Sequence, residues 1–278
     1  MQNIIETNTT ETAVTGAYKT DALSHGIGNS AVSSNWWNRP ADERFLSLDD
    51  MLAYKRRDAQ QMTSRIVNTH KMQIVGQFDE QNPSRGDIMV EYTDENGDEH
   101  LNTPSNWSFG QLAQLAGAPA GYLKDLPAPI AADALQWGLR YNRSRELVKA
   151  YGQQAEGGNL RAATGSEYGR IYDYEILDAV KKFADPDRWK VPGMMTGSDQ
   201  GRAIYDPFVP VTLDTTTLFA SDRDIFVFLV DDTHPLEIGK LPNGDPDLVF
   251  RGFYAWNSET GSKTAGIAAM YLRGVCMN

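Results

Sequence analysis

The chain has 278 residues, a formal net charge of −11, 41% hydrophobic residues and a single cysteine. That length holds one large domain or two small ones, with ample material for a core. One cysteine excludes an intramolecular disulfide and any Cys-rich metal centre, and the acidity excludes a function built on a uniformly basic surface.

The acid is unevenly spread. Residues 79–99 hold eight acids and one base, residues 214–247 eight acids and two bases, and residues 140–202 eleven bases against nine acids. A locally basic face is therefore compatible with an anionic whole. The lone cysteine makes a reducing, cytoplasmic setting the expectation (the host cytoplasm for a phage-encoded protein). The N-terminus lacks the apolar stretch of a signal peptide, and no segment approaches a membrane span.

Residues 1–35 are rich in Thr, Ser, Asn and Gly without a sustained period and read as a flexible N-terminal arm, leaving residues 36–278 as a single α+β domain. Trp36 and Trp37, just before Pro40, are expected to anchor that arm on the body or on a neighbouring subunit, or to stack on bases. Ser47 with Asp50 forms a capping box that opens a helix with Leu48, Leu52 and Tyr54 on its apolar side, and Lys55-Arg56-Arg57 reads as a small basic knot. Ile66–Gln77 and Ile88–Tyr92 read as strands, and Asn96-Gly97 as a hairpin turn with an acidic tip.

Asn102–Leu139 reads as a helical block. Its first helix ends at Gly117, a short turn follows over Pro119–Leu126, and Ile130, Ala134, Trp137 and Tyr141 share the face of the third helix expected to pack on a sheet. Arg140, Arg143 and Arg145 gather where that helix ends, a place where bases complement the helix dipole in any case. Leu147–Tyr151 and Leu160–Thr164 bracket a hairpin. Asp173–Phe183 reads as a helix with Ile176, Val180 and Phe183 inward and Lys181 and Lys182 outward. Residues 185–203 read as a long loop. The last third is strand-like, with one run ending at Asp231-Asp232, a loop over Leu241–Asp247, and two apolar runs flanking Asn257-Ser258-Glu259-Thr260-Gly261-Ser262-Lys263-Thr264. The order predicts an antiparallel or mixed sheet of meandering strands with an inserted helical block.

The chemistry-bearing patterns are sparse. Four scattered histidines lack zinc spacing, no phosphate loop is present, and Gly165-Ser166-Glu167-Tyr168-Gly169 has the wrong spacing for a nucleophile elbow. No cofactor, metal or catalytic residue is indicated. Cys276 reads as a buried, inert thiol. Asp222 and Asp224 read as a solvated turn or, alternatively, as sharers of a cation. Two polar groups stand out. In Asn257, Ser258, Glu259, Gly261 and Lys263, small residues let a backbone approach another backbone, a phosphate or a subunit. Arg161, Tyr168, Arg170 and Tyr172, taken with the arginines at 140, 143 and 145, either hold a single strand by phosphate contact and base stacking or pack as cation–π pairs at a core edge.

Several stretches also occur together in order: the helical block around Gly117, Ala118, Pro119, Tyr122, Leu123 and Pro127; Arg161…Ser166…Tyr168…Ile171; the run Ile225–Val230; and Gly252…Asn257-Ser258-Glu259-Thr260-Gly261…Arg273-Gly274-Val275-Cys276-Met277-Asn278. Over residues 36–278 this pattern resembles a family of phage- and plasmid-like proteins of unknown function. Members commonly run past the position of Asn278, so the resemblance implies a short or truncated member. It also implies a distant likeness to the single-strand annealing recombinases of phages, with Arg161, Tyr168 and Arg170 as groove residues. The expectation is a non-enzymatic single-stranded nucleic-acid-binding or annealing protein, homo-oligomeric, with single-stranded DNA as partner. Two alternatives stand beside it: an assembly protein docking through Trp36 and Trp37, and a magnesium-dependent nucleic-acid enzyme using Asp222, Asp224 or Glu259.

Overall fold

Alternating and helical periods divide the chain into two sheets, each with its own helices. The computed structural model describes residues 39–77, 87–141, 145–192, 195–197, 203–205 and 211–273. The arm 1–35, Trp36, Trp37, Arg143 and Cys276 lie outside the described residues.

After a short strand β1 (Arg44–Phe45), helix α1 (Leu48–Gln60) starts where Ser47 accepts a hydrogen bond from Asp50 N. Strand β2 (Met62–Asn68) and strand β3 (Gln73–Gly76) take the place of the one strand expected over Ile66–Gln77. They are separated by a 3-10 turn in which the Asn68 side chain accepts from His70 N. Strands β4 (Ile88–Thr93) and β5 (Glu99–Pro104) form the expected hairpin, so the helical block begins later than Asn102. It comprises α2 (Asn106–Leu115), α3 (Ala120–Asp125) and α4 (Ala128–Tyr141), with Gly117 at φ +71° ending the first. Strands β6 (Leu147–Gln153) and β7 (Asn159–Gly165) follow as a hairpin, then α5 (Asp173–Phe183). The rest is strand: β8 (Trp189–Lys190), the ribbon β9 (Met195–Gly197) and β10 (Ala203–Tyr205), then β11 (Leu218–Ala220), β12 (Ile225–Lys240), β13 (Pro246–Asn257) and β14 (Gly266–Arg273).

The first sheet runs β2-β6-β7-β5-β4-β3, antiparallel except for the β5–β7 pair. The second runs β1-β11-β12-β13-β14, with β8 also on β12. This is a mixed α+β fold with interspersed helices. Leu112, Ala113, Ala131, Ala132, Leu135 and Leu139 bury the helical block on Val90, Val148 and Leu160 of the first sheet. On the second sheet, Met51 and Leu52 of α1 and Leu177 and Val180 of α5 pack over Val227, Leu229 and Phe253. Removing this apolar surface from water is the main stabilising force in both halves, at about 25 cal/mol per Å².

Three expectations about side-chain direction are corrected. On α4 the inward face is Ala131, Ala132, Leu135 and Leu139, while Trp137 is 69% exposed and Tyr141 58%. Close backbone approach fixes that rotation. A Cβ on Gly138 would sit 2.4 Å from Ala116 O, and the Gln136 amide accepts from Ile74 N at 2.7 Å and donates to Met72 O at 2.9 Å. Phe183, expected inward, is 61% exposed and meets the sheet edge-on at Phe253, ring centroids 5.5 Å apart, because Leu177 and Val180 fill the space over the sheet. Lys55, read as part of a surface knot, is buried at 1% exposure because three acids surround its ammonium. Strand β12 also continues past Asp231-Asp232. The Asp231 carboxylate is taken by Arg188 (Nε 2.8 Å, Nη2 2.7 Å) and Thr233 Oγ1 (2.7 Å), so its charge does not end the strand.

Candidate functional site

The polar turn after β13 is the joint between the two sheets. Asn257, Ser258, Glu259 and Thr260 are all buried, at 2% exposure or less. Together they are held from several elements. Glu259 accepts from Tyr151 OH of β6 and from Asp173 N at the start of α5, both at 2.7 Å. Asn257 Nδ2 donates to Asp173 Oδ1 and to Ile171 O at 2.8 Å. Trp107 Nε1 and Gln111 Nε2 of α2 both donate to Thr260 O at 3.0 Å. Ser258 Oγ donates to Arg223 O at 2.8 Å. The turn's side chains bond backbone atoms of other stretches, at Asp173 N, Ile171 O and Arg223 O.

Behind the turn lies a buried network of charges. Lys55 Nζ sits 2.9 Å from Asp173 Oδ2 and 3.3 Å from Asp58 Oδ2, and donates to Ser221 O at 3.1 Å. Arg161 grips Asp58 with both terminal nitrogens, at 2.5 and 2.7 Å. Burial alone would raise Asp58, but the Arg161 hydrogen bonds and Lys55 hold it below the usual carboxylate range. Burial would lower Lys55, yet Asp173, Glu259 and Asp58 together raise it, so the ammonium stays protonated. Burial pushes the Asp173 carboxyl up to about 7, against the pull of Lys55 and with a further push from Glu259. Arg170 lies over the Tyr151 ring at 4.1 Å and donates to Glu259 O, and Nη2 reaches Thr164 Oγ1 at 3.3 Å. Such pairs are satisfied only as a set, and removing one partner strands a buried charge.

A cleft of about 370 Å³ opens where the joint meets the helical block. It is lined by Gln111, Gln114 and Leu115 of α2, Ala163 to Gly165 at the end of β7, Arg145, Tyr168 and Gly261. Gly261 holds φ +80°, a conformation costly for other residues, and so lets the joint turn back beside Thr164 and Tyr168. The Arg145 side chain is exposed and lies along the backbone, its Nη1 only 3.4 Å from where a Cβ on Gly165 would stand. Lys149 Nζ donates to Tyr168 O at 3.1 Å and adds a third cation beside Arg145 and Arg170.

Next to the cleft is the end of α4. Trp137 and Tyr141, one turn apart, stand outward with ring centroids 4.5 Å apart, and Arg140 is exposed beside them. Arg145 follows Tyr141 by four positions, a span of at most about 14 Å. Neither Arg140 nor Arg145 has an ion pair or side-chain hydrogen bond among the described residues.

The structure therefore divides the arginines and tyrosines singled out in the sequence. Arg145 and the half-buried Tyr168 line the cleft, and Arg140 is exposed at the end of α4. Arg161 is 6% exposed and bound to Asp58. The Arg170 guanidinium is committed to the joint, and Tyr172 stacks on Tyr174 at 5.7 Å beside α5. Of the polar turn, Gly261 lines the cleft, and Lys263 pairs with Asp224 at 3.1 Å. Arg143, Trp36 and Trp37 fall outside the described residues. Asp224 is also bound to Arg39 at 2.7 Å, Glu259 is held by Tyr151 and Asp173, and Asp222 is exposed. Among the described residues, no group of three or more His, Cys, Asp or Glu could hold a metal ion. None of the described helices is long and apolar enough to cross a membrane.

Sequence reasoning missed Trp137 and Tyr141 as surface residues. The available signal was a second stripe on the same helix, Ala131, Ala132, Leu135 and Leu139, whose smaller side chains suit close packing. Compared with family models, curated proteins and solved structures, the chain matches none.

Proposed function

We propose that the chain binds single-stranded nucleic acid without acting on it chemically, the strand crossing the end of α4 and entering the cleft by Arg145. The observation that carries this reading is the outward Trp137–Tyr141 pair beside two arginines with no ion pair or side-chain hydrogen bond among the described residues. Base–aromatic stacking contributes about 1–3 kcal/mol per base and tolerates any sequence, and free guanidinium groups meet phosphates at full charge. Tyr168 offers a third ring in the cleft, with Lys149 beside it. A chain at −11 still repels a polyanion at a distance, so binding is expected to be weak and steeply dependent on salt.

The test is a titration of a fluorescein-labelled oligothymidylate at low salt, reading anisotropy and Trp quenching. Micromolar binding is expected, weakened at least about tenfold by Trp137→Ala combined with Tyr141→Ala. Arg140→Ala and Arg145→Ala should each flatten the log–log salt slope by about 0.7. No binding by about 100 µM, or binding indifferent to all four side chains, overturns the reading.

A further inference from the structure

Strand β14 pairs on one side with β13 in unbroken register, from Gly266↔Trp256 to Arg273↔Val249, and on its other side with no strand among the described residues. Open edges are ordinarily protected by charge, proline, a bulge or short length. The other edges of this molecule follow that rule. Strand β1 has two residues, β3 is covered by the Gln136 amide, and β2 has Ile66 N capped by Glu95 Oε2 at 2.7 Å. Strand β14 is eight residues long and has no charge or proline from Gly266 to Leu272.

The register shows what lies beside this edge. Ile267 and Ala269 pair with Ala255 and Phe253, so they share the face on which Trp189 and Phe183 pack against Phe253, at 4.9 and 5.5 Å. Ile267 is 62% exposed and Phe183 61%, an apolar strip running along an unfilled hydrogen-bonding edge.

We infer that β14 is the contact edge of a two-fold dimer of this chain, the two strands pairing antiparallel about Ala269. The occupant is a second copy because the strand is self-complementary in that register. Ile267 meets Tyr271 of the other copy, an aromatic against a β-branched residue. Ala268 meets Met270, and Ala269 meets itself. The same axis carries the hairpin end of one copy, with exposed Glu237, toward the end of the other that bears exposed Arg223, whereas Lys263 there is already paired with Asp224. The contact is small. Eight strand residues with Phe183 and Trp189 fall well short of the roughly 20–30 residues a side of a standard interface, so the dimer is expected to dissociate in the micromolar range.

Sedimentation velocity and light scattering across a concentration series of the full chain test this independently of any nucleic-acid binding. The expected result is a monomer that becomes a dimer as concentration rises, and more readily at higher salt, which screens the repulsion between two anionic copies. Ile267→Lys and Ala269→Lys, both at exposed positions, should weaken the dimer at least about tenfold while leaving the melting curve in place. A readout on the unaltered chain stands beside the variants: hydrogen exchange in Gly266–Arg273 should slow as concentration rises. A monomer at every concentration overturns the proposal, as does a dimer untouched by both substitutions or an exchange rate at β14 that ignores concentration.

Discussion

Arg161 and Arg170 can be set against Arg140 and Arg145. All four lie among aromatics in residues 140–202, where bases outnumber acids. The first two are buried or committed inside the joint, bound to Asp58 and to the backbone of Glu259. The second two are exposed and have no internal partner among the described residues. What separates the pairs is whether a carboxylate or carbonyl arrives from elsewhere in the chain. Asp58 is 103 residues from Arg161 and Glu259 is 89 from Arg170. An arginine beside a tyrosine is thus equally compatible with a binding face and an internal tie, and only its distant partner decides which.

The comparison breaks most visibly at Asp58. Asp58→Ala removes the partner of Arg161 and one of the carboxylates around Lys55, and should cost about 3–5 kcal/mol in urea unfolding. A loss under about 1 kcal/mol would mean that the joint does not hold the two sheets together. On the exposed side, Trp137→Ala should leave stability within about 0.5 kcal/mol while weakening single-strand binding by about 1–3 kcal/mol. An equal loss of both would place Trp137 in the core sense first read from the sequence.

Acidity sharpens the contrast next. The folded-state value of Asp173, about 7, lies above that of an unfolded carboxylate, about 3.9. The folded chain therefore holds the extra proton between those values, and stability through this group rises as pH falls from about 7 toward about 4. Asp231 runs the other way. Burial would raise it, but Arg188 and Thr233 hold it at about 2, so its contribution is present above about 4 and is lost as pH falls through about 2. Denaturation midpoints should climb from about pH 8 to about pH 5 and drop below about pH 4, and Asp173→Asn should remove the climb alone. A wild-type profile flat from about pH 8 to about pH 5 counts against the buried Asp173. The smallest effect belongs to Arg140→Ala, with no change in the melt and a salt slope lower by about 0.7 if one phosphate contact is lost.

Much of the fold was legible because it rests on local period and local chemistry. Ser47 with Asp50 opens α1, Gly117 ends α2, and α5 spans the expected Asp173–Phe183. The β6–β7 hairpin and the strand-rich last third also follow from alternation and turn residues. Where two apolar stripes share one helix, the larger residues read as the core. The structure chose the smaller ones, because Gly138 must pass Ala116 and Gln136 must reach the backbone flanking β3. At the site, Arg145 and Tyr168 were legible as types, but the cleft that unites them with Gly261 was not, since its walls come from four separated stretches.

The sequence alone determined the α+β class, the capped helices and the prominence of the polar Asn257–Gly261 turn, because each depends on residue type and short-range spacing. Tertiary structure decided that this turn is an internal joint, which arginines are left exposed, and which long strand has an unpaired edge among the described residues. Those outcomes depend on burial and on partners far away in the chain, and neither quantity has a local signature.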